Sequence, residues 1–186
     1  SAVDKGDYWL LNGTKIFITN GFYADTYFVT AMTDKSQRSR GISAFIVEKG
    51  TPGFTFGTKE KKMGIRGSAT YELVFQDCKI PKENLLGELG KGFKMALMTL
   101  DGGRIGVAAQ AKQDREPFSH LAAMGKLYAA KAATNVTRRC LQLVGYEGYS
   151  RDLPFERLMR DAKITEIYEG TSVVQRMVIS SWMGVK

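Results

Sequence analysis

Hydrophobic and polar positions follow two different periods along this chain, and the change falls near residue 90. From Tyr8 to about Pro81 the apolar residues come in short runs bounded by Gly, Pro, Asp or Asn, the pattern of strands closed off by turns. DYWLL at 7–11 and TKIFIT at 14–19 flank Asn12 and Gly13. They predict a hairpin, because Asn-Gly supplies the positive φ that a type I′ turn requires. TYFVTAMT at 26–33, a polar loop at 34–41, ISAFIVEKG at 42–50, a TPG turn, FTFG at 54–57 and TYELVFQDCKIP at 70–81 follow. Five or six short strands of this kind predict a small barrel or sandwich.

From Gly92 onward the spacing of apolar residues becomes three and four. FKMALMTLDGGRIGVAAQA at 93–111 reads as helix interrupted at Asp101, Gly102 and Gly103. Each glycine inside a helix costs about 1 kcal/mol against Ala, so the pair points to tight helix packing or to a close ligand. PFSHLAAMGKLYAAKAATNVTRRCLQLVG at 117–145 is a second long helix, starting near Pro117 or Ser119 and stopping at Gly145. RDLPFERLMRDAKI at 151–164 and TSVVQRMVISSWM at 171–183 give two more. Strands first and helices after make an α+β chain, with a β domain over 1–90 and a helical domain over 91–186.

The 186 residues are 44% hydrophobic and 25% charged, enough apolar material for a buried core and too much for a disordered chain. The apolar run at 173–185 is broken by Arg176 well before the roughly 18 residues of a membrane span, so no membrane partner is expected. A net charge of +8 favours anionic partners. The basic residues are scattered, without a basic helix interleaved with aromatics, so a phosphate-bearing small molecule is preferred to nucleic acid. Two cysteines, Cys78 and Cys140, lie far apart and His120 is the only histidine. That inventory speaks against a zinc site, a disulfide framework and a His-dependent hydrolase. Neither a GxGxxG after a strand nor a GxxxxGK[ST] is present. The start, SAVDKGDYW, has the character of neither a signal nor a transit peptide and lacks an initiator Met, as expected of a processed, truncated or partial chain.

What remains for chemistry is MRDAKITEIYEGTS at 159–172. Gly170, Thr171 and Ser172 read as a helix stop followed by a new N-cap at Thr171 or Ser172, with Glu169 at the break. A carboxylate there can project into a cleft, and it can equally be a surface or capping residue; spacing alone does not choose.

This segment resembles the C-terminal signature of the flavin-dependent acyl-CoA dehydrogenases. KIFITNG at 15–21, KMGIRGSATYELVFQDCKIPKENLLGELGKGF at 62–93 and TLDGGRIGVAAQA at 99–111 resemble further family segments in family order, with wording nearest the short-chain, butyryl-CoA type. The resemblance covers nearly the whole chain. It implies a central β-barrel or sandwich followed by a helical bundle, FAD as cofactor and an acyl-CoA thioester as substrate. It also implies an electron-transferring flavoprotein as acceptor, a homotetramer, and the bacterial cytoplasm or mitochondrial matrix as compartment.

In the family a glutamate removes the α proton while a hydride passes from the β carbon to flavin, giving a trans-2-enoyl-CoA; Glu169 matches that glutamate. The glutamate's own N–H and a ribityl hydroxyl of the flavin polarise the thioester carbonyl, which a weakly acidic α proton requires. Phe17 and Thr19 match the strand against the flavin ring, with Thr19 a hydrogen-bond partner near N5. Gln142 matches a residue that reaches a neighbouring subunit's cofactor, and Thr171 one that meets the flavin diphosphate. Asp101, Arg104, Tyr168 and Gly170 match the acyl-CoA site, although Asp101 and Arg104 also have the spacing of a local ion pair.

The chain departs from the family pattern in three places. The N-terminal helical domain and the TEPxxGSD stretch before residue 1 are absent. After Ala111 the sequence passes directly to Lys112 and a later helix, omitting a helix pair that carries an RxxFG-type motif. Where the family usually has GGYGY, this chain has Gly145, Tyr146, Glu147, Gly148 and Tyr149, side chains that would obstruct a cofactor's approach or repel its phosphates. Two readings follow: an acyl-CoA dehydrogenase seen as a gapped sequence, or a shortened, catalytically inactive derivative acting as a scaffold or binding module.

Overall fold

Why the β region closes on itself is visible in its inward-facing residues. The computed structural model describes residues 1–102 and 118–185, with backbone alone at 100–102. Contacts divide it into two units, Ser1–Lys61 with Arg66–Met98, and Lys62–Ile65 with Thr99–Lys186.

In the first unit β1 (Ala2–Asp4), β2 (Tyr8–Thr19), β5 (Phe54–Lys59) and β6 (Thr70–Pro81) form a four-stranded sheet in the order β1-β2-β6-β5. β3 (Thr26–Met32), β4 (Ile42–Glu48) and β7 (Leu85–Leu86) form a three-stranded sheet in the order β3-β4-β7. Every pairing is antiparallel. Two separate sheets rather than one closed cylinder make this the sandwich of the two expected forms. Trp9, Leu11, Leu73, Phe75 and Ile80 of one sheet meet Tyr27, Val29, Phe45 and Val47 of the other in a single buried cluster. The Trp9 and Phe45 rings meet edge to face at 5.3 Å, a favoured aromatic geometry.

Asn12-Gly13 does not turn the chain: β2 runs straight through it as one 12-residue strand. The reason lies on the partner strand. Between the pairs Leu11↔Cys78 and Gly13↔Phe75, β6 carries an extra residue, and Asp77 adopts φ 47°. Asn12 Nδ2 donates to Asp77 Oδ1 at 3.1 Å and Asn12 Oδ1 accepts from the Asp77 N–H at 2.8 Å. The amide that a hairpin would have used locally is thus committed to a bulge 65 residues away. The bulge also explains the burial pattern of β6, where Leu73 and Phe75, then Cys78 and Ile80, point inward. An extra residue shifts the two-residue alternation by one and returns the later pair to the core.

The second unit is helical. α1 (Gly92–Gly102) leads toward it, and α2 (Ser119–Val144), α3 (Phe155–Lys163) and α4 (Ser172–Trp182) build it. α2 ends where the sequence indicated, at Gly145 with φ 70°, followed by a single helical turn at Tyr146–Tyr149. Its buried face is Ala122, Ala123, Lys126 and Ala130, and the three alanines let α3 and α4 pack closely. α3 holds the short Lys62–Ile65 segment. Arg160 pairs with Glu156 through two hydrogen bonds, at 2.6 and 2.9 Å, and donates to the Met63 carbonyl at 2.6 Å. Asp161 accepts from the Ile65 N–H at 2.6 Å. A Cβ on Gly64 would lie 2.5 Å from the Arg160 carbonyl oxygen, so only glycine fits there.

Glycine is required just as strictly in the β5 entry turn. At Gly53, φ is 83° and a Cβ would sit 2.8 Å from Cys78 Cα, whereas Gly50, at φ 86°, faces open space. Gly53→Ala should therefore destabilise the fold by about 2–4 kcal/mol and Gly50→Ala by about 1 kcal/mol. Urea unfolding of the two variants checks this difference; equal losses would contradict it.

Candidate functional site

In the sandwich, β2 bears Phe17 and Thr19. Between the pairs Lys15↔Leu73 and Ile18↔Tyr71 this strand has one residue too many, and Phe17 takes φ 59°. A bulge re-aims side chains that a regular strand would alternate. Here it leaves Ile16 56% and Phe17 66% exposed, two neighbouring apolar side chains in solvent. A left-handed residue other than glycine costs on the order of 1 kcal/mol, so the bulge is held against a local preference. Thr19 pairs with Thr70 at the strand's end. Beside it lies a cavity of about 270 Å³ lined by Lys15, Ile18, Thr19, Tyr27, Phe28 and Leu73. Burial pulls the Lys15 ammonium below the usual lysine range. An exposed aromatic side chain, Phe17, thus stands near the polar end of the strand at Thr19.

In the helical unit the signature segment forms a sharp break between helices. The N–H groups of Ile167 and Tyr168 both donate to the Ile164 carbonyl, at 2.9 and 3.0 Å, which ends the helical run. Glu169 follows at φ 56° and Gly170 at φ 86°. Thr171 is then the N-cap of α4, its Oγ1 accepting from the Val174 N–H at 3.3 Å. This is the stop and restart that the Gly-Thr-Ser sequence indicated. Capping leaves the remaining first-turn amides of α4 at the positive end of the helix dipole, a setting that suits a phosphate.

Two side chains hold the break in place. Gln175, 0% exposed, donates through Nε2 to the Glu169 carbonyl at 3.1 Å and to the Gly170 carbonyl at 3.0 Å. Lys126, 7% exposed, donates through Nζ to the Gly170 carbonyl at 2.8 Å. Gln175 Oε1 is buried without a hydrogen-bond partner.

A second carboxylate stands nearby, and its environment differs. Lys163 Nζ donates to Glu166 Oε2 at 2.6 Å, and this bond, with the charge of Lys126 adding to it, holds the Glu166 carboxyl below the usual carboxylate range. A carboxylate so committed is a poor proton acceptor. Glu169 is exposed at the break.

Tyr168, Glu169, Gly170 and Thr171 thus share one turn, with Tyr168 exposed beside Glu169. Gln142 is exposed in the last turns of α2. Tyr146, 89% exposed, and Glu147 stand in the helical turn after Gly145 with their side chains in solvent. Asp101 lies in the last turn of α1, where only backbone is described. Arg104 and the Ala111–Lys112 junction lie outside the described residues. Among the described residues no cluster of His, Cys, Asp or Glu suits a metal ion, and no helix is long and apolar enough to cross a membrane. Sequence reading missed Lys126 and Gln175. For Lys126 a signal existed, because it falls on the same helical stripe as Ala122, Ala123 and Ala130, where a charge is out of place.

Residues 1–78 match the acyl-CoA dehydrogenase middle domain and residues 108–184 the acyl-CoA dehydrogenase C-terminal domain. The short-chain specific acyl-CoA dehydrogenase of Clostridium acetobutylicum is 45% identical over 234 residues, covering 96% of this chain and 62% of that protein. An alignment that long leaves about 55 columns with no residue of this chain. The structure of butyryl-CoA dehydrogenase from Megasphaera elsdenii superimposes with a TM-score of 0.93 at 46% identity, covering 98% of this chain and 62% of that one. A chain from work on the electron transferring flavoprotein of Acidaminococcus fermentans gives 0.94 at 46% identity, covering 98% and 63%. The chain therefore spans less than two thirds of the length of these relatives. With its β sandwich, its helical unit and its IYEGTS break in the matching order, it belongs to the acyl-CoA dehydrogenase family, of which it carries the middle and C-terminal domains.

Proposed function

We propose that this protein is an FAD-dependent dehydrogenase of short-chain acyl-CoA thioesters, with Glu169 as the base that removes the α proton. The observation that carries the reading is the left-handed break at Glu169 and Gly170, which sets an exposed carboxylate just before the N-cap of α4. FAD, when bound, supplies the acceptor for the hydride that leaves the β carbon. The chain's residues do the rest. Glu169 takes the α proton, so that loss of proton and hydride from adjacent carbons leaves the trans-2-enoyl-CoA. Phe17 and Thr19 seat and orient the ring, Thr171 and the first turn of α4 meet the diphosphate, and Gln142 reaches a neighbouring copy's cofactor. Asp101, Arg104, Tyr168 and Gly170 line the acyl-CoA site. Electrons leave to an electron-transferring flavoprotein in the bacterial cytoplasm or mitochondrial matrix. Exposed apolar residues of the helical unit, Leu143, Met177 and Trp182 among them, support assembly into a homo-oligomer.

A second reading has observations of its own. The roughly 55 unmatched alignment columns and the side chains of Tyr146 and Glu147 favour a shortened derivative that has lost the cofactor and serves as a scaffold or binding module.

Replacing Glu169 by Gln keeps the size of the side chain and removes the carboxylate. The variant should bind FAD as the parent does and lose α-proton exchange of butyryl-CoA in deuterated buffer by about 100-fold or more; retained exchange would remove Glu169 from the role. Tyr146→Gly should tighten FAD binding about tenfold, the factor that about 1.4 kcal/mol gives, in a fluorescence titration. Unchanged binding clears Tyr146 of obstruction, and a parent chain that takes up no FAD at all favours the scaffold reading.

A further inference from the structure

Three hydrogen bonds from two buried side chains end on two consecutive carbonyls. Gln175 Nε2 serves the Glu169 and Gly170 oxygens, and Lys126 Nζ serves the Gly170 oxygen. Lys126 comes from the N-terminal third of α2 and Gln175 from the first turn of α4, so the break is gripped from two helices at once.

Neither residue is an economical choice for packing alone. An ammonium group on an alanine-lined stripe gives up solvation on burial. Gln175 meets two acceptors with its amide nitrogen and leaves Oε1 buried without a partner. Turning the amide over would set its oxygen against two carbonyl oxygens, so the nitrogen-inward orientation is fixed by the acceptors themselves. An orphaned buried acceptor is a stability cost that an apolar side chain of the same length would not carry.

What the cost maintains is a backbone shape. Glu169 sits at φ 56°, a conformation that residues with a Cβ seldom adopt, and relaxation would swing its Cα–Cβ bond to another direction. Fixing the carbonyls on both sides of the Gly170 residue fixes the peptide plane that follows Glu169, and with it the line along which the carboxylate leaves the chain.

We infer that Lys126 and Gln175 are positioning residues, which hold the left-handed turn and thereby aim the Glu169 carboxylate at its substrate. This rests on the reading of Glu169 as the base. It adds a cross-helix brace to that reading: the reacting group sits on a loop, and its direction is set by two side chains that never touch the substrate.

The test uses the full chain with FAD and butyryl-CoA, with Lys126→Met, Lys126→Arg and Gln175→Met compared with the parent. Steady-state α-proton exchange is followed by mass spectrometry. A misdirected base should lower kcat by about 100-fold while KM holds. Lys126→Arg, which keeps a donor, should recover most of the loss. Gln175→Met should lose rate without losing melting temperature, because it removes the orphaned acceptor together with the donor. Amide hydrogen exchange over residues 166–175, read without cofactor, should be faster in Lys126→Met and Gln175→Met than in the parent. Unchanged kcat in both methionine variants, or rate loss that merely follows melting temperature, overturns the inference. Should the parent itself exchange no α proton, the reading of Glu169 as base fails, and the amide exchange then decides the brace alone: faster exchange in the variants upholds it, and equal exchange removes it.

Discussion

The long antiparallel pairing of β2 with β6 is the constraint on which the sandwich depends. It joins segments separated by more than fifty residues, from Tyr8↔Pro81 to Thr19↔Thr70, and brings Trp9 and Leu11 alongside Leu73, Phe75 and Ile80 in the core. Its two irregularities do different work. The bulge at Asp77, pinned by Asn12, keeps the inward alternation of β6 in phase. The bulge before Ile18 throws Ile16 and Phe17 outward. One ladder therefore maintains the core and leaves two apolar side chains exposed.

The helical unit applies the same economy. α2 presents a small-residue face on which α3 and α4 can settle, and its only buried charge on that face, Lys126, is spent on the turn that carries Glu169. Glu166 and Glu169 are three residues apart in sequence, yet one is bound to Lys163 and the other stands at a left-handed break. Local backbone geometry, more than residue type, gives these two carboxylates different surroundings.

Much of this was legible in the sequence. The change from strand to helical spacing near residue 90, the end of α2 at Gly145 and the N-cap at Thr171 follow from local rules, and the structure places them as those rules require. Asn12-Gly13 was misread, because the side chain that would have formed a turn is claimed by Asp77 across the sheet, a partner no local window contains. The positive φ values of Phe17 and Glu169 were invisible for a related reason: each is imposed by its surroundings against the residue's own preference. Gln175 gave no signal at all, since a polar residue one turn into an amphipathic helix looks like a solvent-facing one. Lys126 did give one, in its place among buried alanines.

The central claim is the proposed one, that Glu169 is the base of a flavin-dependent dehydrogenation of an acyl-CoA. Its most direct measurement is the visible absorption of the chain loaded with FAD, recorded without oxygen before and after butyryl-CoA is added. The account predicts that the bound flavin's visible absorption bleaches at a rate that saturates with substrate. Bound flavin whose spectrum is indifferent to butyryl-CoA would contradict it.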